Sequence, residues 1–467
     1  MPVSRYTRSL FIFRRDLRIH DNSGLNQALS TSGSVLPCFI FDPRQIDRHP
    51  YQSQPALAFM LESIAELQQA FLSAGSRLAL YHTLPVDVVK AAVQQHQIEA
   101  VFVNRDYTPF SQKRDAELAQ VCHDFNIDFH GVPDYLLTEP EQALKGDHSP
   151  YKVFTAFYNN ARQLPVALPN ALTQANFINS GHVSTVDLDE FVATVAPYTK
   201  VKAHSIPGGR NQALAILGQL HEQADYQSVR DYPCLDATSH LSAHLKFGSC
   251  SVREAYFAIV QALGAEHPLL RQLYWRDFFT HIAFHYPHVF GKSFNSQYDN
   301  VVWDNNLEIF QRWAEGTTGF PIVDAGMREL NASGFMHNRV RMIVASFLVK
   351  DLHISWRWGE RYFAQHLVDY DPAVNNGNWQ WAASTGCDAQ PYFRIFNPWL
   401  QQQKFDADCL YIKHWLPELA GIPAKTLHQW ASRHSGNAYP APMVEHGLES
   451  NLAKQRYKSC SFFTPTE

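Results

Sequence analysis

The chain has 467 residues, 45% of them hydrophobic and 18% charged, which is the make-up of a folded protein of more than one domain and excludes a disordered chain. Its 39 basic and 44 acidic residues leave a formal charge of −5, so bulk charge offers no attraction for nucleic acid, and such a partner would have to meet a local basic patch. The seven cysteines are scattered and none sits at CxxC spacing, which disfavours a structural metal or a disulfide framework and fits a reducing compartment.

In chain order, SLFIFRRDLR, SVLPCFIFD, RLALYH and EAVFVNRDY are short apolar runs that end in polar residues, with the helical stretches PALAFMLESIAELQQAFLSAG and PVDVVKAAVQQHQ between them. This alternation predicts a doubly wound parallel sheet, in which ligands gather at the carboxyl ends of strands. Arg14, Arg15, Asp16 and Asp42 fall at that end, with Asn104, Arg105 and Asp106. From Gly131 to Pro207 the pattern weakens into segments rich in Pro, Asn, Ser and Thr, and from Gly208 it is helical almost throughout. The reading is an α/β, Rossmann-like domain over residues 1–131, an interdomain linker over 132–207 and an all-α domain over 208–467. The N-terminal run MPVSRYTRSLFIF reads as a strand rather than a leader, and no stretch is apolar enough to span a membrane, so a soluble, cytoplasmic protein is expected.

The most informative stretch runs from Phe320 to Asp406. Asn338, Arg341 and Met342 lie at i, i+3 and i+4 and share one face of a predicted helix. Asp371-Pro372 reads as an N-cap followed by the first helical residue, and the helix it opens gathers Asn375, Asn378 and Trp379 on one side. Two polar faces of this kind suit a pocket for a flat molecule with polar edges. A helix–helix seam with buried amides is the competing reading.

The strings VDAGMREL, MHNRVRM, NNGNWQWAASTG and PYFRIFNP, with FIFRRDLRIHDNSGL near the N-terminus, closely resemble class I photolyases and related cryptochromes. The resemblance covers essentially the whole chain. It implies a U-shaped FAD in the helical domain and light-driven repair of cyclobutane pyrimidine dimers in DNA. By motif, Tyr226 and the segment Thr238, Ser239, His240, Leu241, Ser242 would hold the FAD phosphates, since hydroxyls and helix N-terminal amides satisfy phosphate oxygens. The family more often has Arg where His240 stands. Asp369 and Asp371 match carboxylates by the flavin ring and the adenine side, Arg341 matches the cation near the flavin, and Arg276 and Asn338 complete the cofactor set. Asn375 matches the residue at the flavin N5 edge. Plant cryptochromes resemble this pattern but carry Asp there, which can protonate the flavin. An amide does not donate readily, which favours a reduced, anionic flavin and repair. Trp303, Trp356 and Trp379 match an electron relay from the surface to the flavin.

The resemblance further implies a dimer flipped out of the duplex into a cavity over the flavin. Arg230, Gln272, Trp275, Arg276, Asn338, Arg339, Met342, Trp381, Arg394 and Gln401 match its lining or rim. Arginines there supply phosphate contacts, and Trp275 and Trp381 supply flat apolar walls. Gln272 in RQLYWRD departs from the family's ELxWRE pattern: it keeps hydrogen bonding and loses the charge of Glu. With Asn375, Met342 and the three tryptophans it makes up the expected catalytic set. Ser111 stands where folate-binding members usually place a Glu, whereas Asp106 and Lys246 resemble deazaflavin-type members, so a deazaflavin or flavin antenna is expected rather than folate. A photoreceptor cryptochrome is the alternative, disfavoured by Asn375, Met342 and the short sequence after YKSCSFF. Repair of (6-4) photoproducts would need a histidine partner for His337, and the cluster-containing type would need suitably placed cysteines. A plain flavin electron carrier would have no use for the cavity arginines and tryptophans. The expected partner is DNA containing pyrimidine dimers, and the expected state is a monomer without metal.

Overall fold

Five parallel strands, β1 (Tyr6–Phe13), β2 (Ser32–Ile40), β3 (Ala79–Tyr81), β4 (Ala100–Asn104) and β5 (Asp128–Val132), pair in the order β3-β2-β1-β4-β5. The structure is a computed structural model that describes residues 4–47, 49–172, 174–178, 186–195, 206–433 and 439–460. The central strand is apolar on both sides because helices cover both faces of the sheet. Phe11 and Phe13 pack with Leu25 of α1 (Ser23–Thr31) and with Phe59 and Phe71 of α2 (Gln54–Ser73). Leu10 and Ile12 point the other way, onto Val88 and Val89 of α3 (Pro85–His96) and Leu118 of α4 (Pro109–Asp124). Strand order reverses between β1 and β4, so the loops after these strands open a crevice. Arg15 and Asp106 stand there, as the strand-end pattern predicts.

The stretch read as an irregular linker holds short helices, each tied down by aromatic side chains. In α5 (Phe154–Ala161), Phe154 and Phe157 are buried against Phe278. In α6 (Leu188–Val195), Phe191 stacks on Phe41 with ring centroids 3.9 Å apart. Between them, Phe177 makes a parallel bridge with Val35 of β2. Helices of eight residues are too short to show a period above a polar background. Residues 173, 179–185 and 196–205 of that linker lie outside the described residues.

The rest is helical: α7 (Ser242–Phe247), α8 (Val252–Leu263), α9 (Pro268–His285), α10 (Pro321–Ser333), α11 (Asn338–Lys350), α12 (Trp356–His366), α13 (Pro372–Ala383), α14 (Pro398–Phe405) and, near the end, α15 (His446–Cys460) position the site. Their starts are chemically marked. Ser251 and Glu254 form a capping box before α8. Asp371 and Asn397 cap α13 and α14, each followed by Pro at the first helical position. Among the described residues, no helix is long and apolar enough to cross a membrane.

The two parts meet through buried charge. Arg18 and Arg253 share Asp134, at 2.6 and 2.7 Å, and Arg253 also reaches Asp21 at 3.1 Å. Gly248 closes α7 at φ 65°, where a Cβ would come within 2.2 Å of the Arg15 carbonyl oxygen. Only glycine allows both that backbone conformation and that approach.

Candidate cofactor and DNA site

Helix α13 is built around Asp371. Its Oδ1 accepts from the amides of Ala373 and Val374, at 3.0 and 3.1 Å, which sets the first turn. One turn on, Asn375 is buried, and its Nδ2 donates to the Glu360 backbone oxygen and to Glu360 Oε1, both at 3.1 Å. Burial pushes the Glu360 carboxyl up to about 7, against the opposing pull of the Asn375 bond. Trp379, one turn further, is buried on the same face. Asn378, expected beside them, is exposed and donates back to its own helix at Val374 O. On the facing helix, Arg341 grips Asp369 with two parallel bonds of 3.1 and 2.9 Å, and its Nε donates to Met336 O at 2.7 Å. A guanidinium held at three points presents a fixed positive face.

The segment Thr238–Ser242 leads into α7, whose first amides have no side-chain cap. Ser242 is exposed, Leu241 is buried, and Thr238 and Ser239 are half-buried. His240 has a left-handed backbone, φ 52°, and its Nε2 lies 2.7 Å from Asp236 Oδ1. Its ring sits 4.9 Å from that of Phe335, and Arg341 lies 5.2 Å over the same Phe335 ring. The hydroxyl segment and the Arg341–Asp369 pair therefore border one site. Tyr226 is buried, with Arg230 5.6 Å from its ring centroid. His337 caps α11 through Nδ1, and its buried Nε2 has no partner among the described residues. Hydroxyls, open helix amides, a guanidinium–carboxylate pair and a fixed amide fit a diphosphate cofactor with a hydrogen-bonding ring, as FAD is.

Trp379 and Trp356 lie in one apolar cluster, with Trp303 packed against it. Trp379 meets the edge of Phe363 at 4.9 Å and of Trp313 at 6.3 Å, and a Cβ on Gly359 would come within 2.1 Å of its ring. Trp356 is fully buried, with no partner for its indole nitrogen among the described residues, and Trp303 stands edge-on to Tyr457 at 6.2 Å.

On α9, Gln272 and Trp275 lie one turn apart, both half-buried. One face of Trp275 is already stacked on Phe154, at 3.6 Å and 7°. On α11, Asn338 is exposed and its Nδ2 lies 3.8 Å from Met342 Sδ. Arg339 is paired with Asp231 at 2.9 Å and rests on the Phe405 ring at 4.3 Å. Trp381 and Gln401 are half-buried, and Arg394 is exposed.

Four of the expected site residues come together at the domain junction. Asp371 Oδ2 accepts from Tyr135 Oη at 2.7 Å and pairs with Arg15. Arg15 also reaches Asp106 at 3.3 Å and the carbonyl of Lys246 at 3.4 Å. Arg276 donates to Tyr135 O at 2.9 Å and lies 3.5 Å over the Tyr135 ring, which also carries Arg15 at 4.1 Å. Burial would raise Asp371, but Arg15 and Lys246 hold it far below the usual carboxylate range, and Asp106 is held down at about 2 by Arg15 and Arg114 against the same burial. Burial and Arg15 bring Lys246 down to about 8. Asp371 and Arg276, expected at the flavin, and Asp106 and Lys246, expected at an antenna, are thus engaged with one another. Arg15, Tyr135 and Glu360 were not singled out for this chemistry from sequence. For Glu360 a signal existed, since it lies four residues after Trp356 and so on the same helix face.

Family models place this architecture. The FAD-binding domain of DNA photolyase matches residues 269–459, and the DNA photolyase model matches residues 9–173. A deoxyribodipyrimidine photo-lyase of Synechococcus is 38% identical, over 96% of either chain. Among solved structures, an archaeal photolyase from Sulfolobus tokodaii, which holds two FAD molecules, superposes with a TM-score of 0.88 at 43% identity, covering 97% of this chain and 100% of its own. A Synechocystis cryptochrome superposes equally well, TM-score 0.88, at 28% identity, with the same coverage. Sequence, fold and site chemistry agree: the chain belongs to the DNA photolyase family, as an FAD-binding, DNA-repairing lyase of the deoxyribodipyrimidine photo-lyase kind.

Proposed function

We propose that the chain is a class I enzyme that uses light to split cyclobutane pyrimidine dimers flipped out of DNA. The observation that carries this reading is Asn375, an amide held by Glu360 at the place where the family resemblance puts the flavin edge. FAD held at this site would, once reduced and excited by light, lend an electron for opening the dimer, so no net redox change would be required. The chain's own task is placement and electrostatics. Arg341, fixed by Asp369, stabilises negative charge on the cofactor. Thr238, Ser239 and the open amides of α7 take its phosphates. Asn338 and Met342 face the dimer from α11, and the exposed part of Trp275 packs against it. Gln272 hydrogen-bonds a base edge. Arg339 meets a phosphate by exchanging or sharing Asp231. Trp303, Trp356 and Trp379 deliver electrons that reduce the cofactor before repair.

A second chromophore of flavin or deazaflavin type is part of the reading. It is supported by the two FAD molecules of the Sulfolobus tokodaii neighbour. It is also supported by Ser111, a buried hydroxyl that accepts from Thr108 Oγ1 at 2.9 Å where a folate-binding member would place a carboxylate. The protein acts as a monomer in the cytoplasm, and its free cysteines among the described residues fit that compartment.

The test is blue-light repair of a dimer-containing single-stranded oligonucleotide by the purified protein with its FAD pre-reduced. Loss of dimers under light, and none in the dark, is the expected result. No repair, with no preference for dimer DNA over undamaged DNA, would overturn the reading and leave a photoreceptor of the same fold.

A further inference from the structure

We propose that Arg15, in the N-terminal domain, is a positioning residue for Asn375, acting across the domain boundary through Asp371. The inference rests on the placement of the flavin beside Asn375. Asp371 divides its two oxygens between the domains. Oδ1 accepts from Ala373 and Val374 and so defines the first turn of α13, while Oδ2 is held by Tyr135 and Arg15. A carboxylate is a rigid plane, so the direction of pull on one oxygen sets the direction of the other. Asn375 sits directly on that turn, with its amide nitrogen donating to the Asp371 carbonyl at 2.8 Å.

Arg15 is itself immobilised. Its guanidinium is stacked on Tyr135, whose ring also carries Arg276, and it is tied to Asp106. Its backbone is locked where Gly248 approaches and where Leu17 N donates to Phe247 O at 3.0 Å. Lys246 supplies a second cation in the same cluster. Loss of Arg15 therefore leaves Asp371 the attraction of Lys246 but not the planar fork that orients it. The consequence is a turned helix start rather than an unfolded junction.

The experiment compares Arg15→Lys, Arg15→Ala and Asn375→Asp in the full chain with FAD bound, reading the flavin absorption band and the rate at which reduced flavin reoxidises in air. Arg15→Lys is expected to retain FAD while shifting the band and changing reoxidation by about tenfold, as a small misplacement of a reacting-site group does. In Arg15→Ala, millimolar guanidinium is expected to restore both properties toward wild type, which a general loss of packing would not allow. If Arg15→Lys keeps the native band and rate while Asn375→Asp alters them, Arg15 does not position the amide and the inference is overturned alone. If Asn375→Asp also alters neither, the flavin does not lie at Asn375, and the placement falls together with the inference. Should Arg15→Ala fail to fold, Arg15→Lys decides.

Discussion

The side-chain amide of Asn375 gives both its hydrogens to Glu360, one to the backbone oxygen and one to Oε1, at 3.1 Å each. This turns the amide oxygen away from α12 and fixes it as an acceptor. The strength of the hold depends on Glu360, whose carboxyl is pushed up to about 7, first by burial. The folded value lies above the unfolded one, so the stability linked to Glu360 is fully present below pH 4.5 and is lost as pH rises through about 7. Chemical denaturation is expected to show the wild type losing up to about 3 kcal/mol more stability between pH 5 and 8 than Glu360→Gln does. Reoxidation of the reduced flavin should change across the same pH range in the wild type and not in Glu360→Gln.

Arg341→Met should cost about 3 kcal/mol in a urea melt, because the Asp369 side chain is only 5% exposed and would be left charged and unpaired. The double variant Arg341→Met, Asp369→Asn should recover part of that loss, and the cycle isolates the pair. FAD retention should fall in both, since neither offers the cofactor a fixed cation.

Trp379→Phe should slow photoreduction of the flavin more than Trp356→Phe or Trp303→Phe, measured as the rate of bleaching under blue light with an external reductant. Trp379 lies one turn beyond Asn375 on the same buried face. Chemically reduced Trp379→Phe should repair dimers as the wild type does. Failure to do so would show that this ring acts in the repair step itself.

Gln272→Ala should weaken binding of dimer DNA by about 3–10-fold, the value of one hydrogen bond, and leave binding to undamaged DNA unchanged. Gln272→Glu should restore the bond and strengthen it with charge. Gel-shift titration of both oligonucleotides checks this; equal loss on the two would make Gln272 a general DNA contact.

Lys350 is a buried amine whose Nζ reaches Ser384 Oγ at 3.0 Å and lies 3.5 Å over the Tyr457 ring. Burial holds it well below the ordinary lysine value. At neutral pH the unfolded chain therefore binds this proton more readily, and stability should rise with pH toward 10.5. Lys350→Met should stabilise the protein by about 1 kcal/mol at pH 7 and remove that rise, as thermal melts at pH 7 and 9 would show.

Local chemistry made much of the protein readable from its sequence. Apolar runs ending in polar residues marked four of the five strands, with β5 left unread, and Asp371-Pro372 marked the start of α13, because helix capping and strand patterning depend on neighbours close along the chain. The same was true of the Asn338–Met342 face, which needs only helical spacing. The short helices α5 and α6 were hidden, since their stability comes from single aromatic residues such as Phe154 and Phe191 reaching distant partners. So was the destination of Asp371, Asp106, Lys246 and Arg276. Each carries a charge that burial makes costly until it finds an opposite one, and for Asp371 the opposite charge is Arg15, 356 positions away. The sequence by itself determined which groups the site has to work with, whereas only the tertiary structure, by bringing Arg15 in the loop after β1 against the first turn of α13, decided which of them join the two domains.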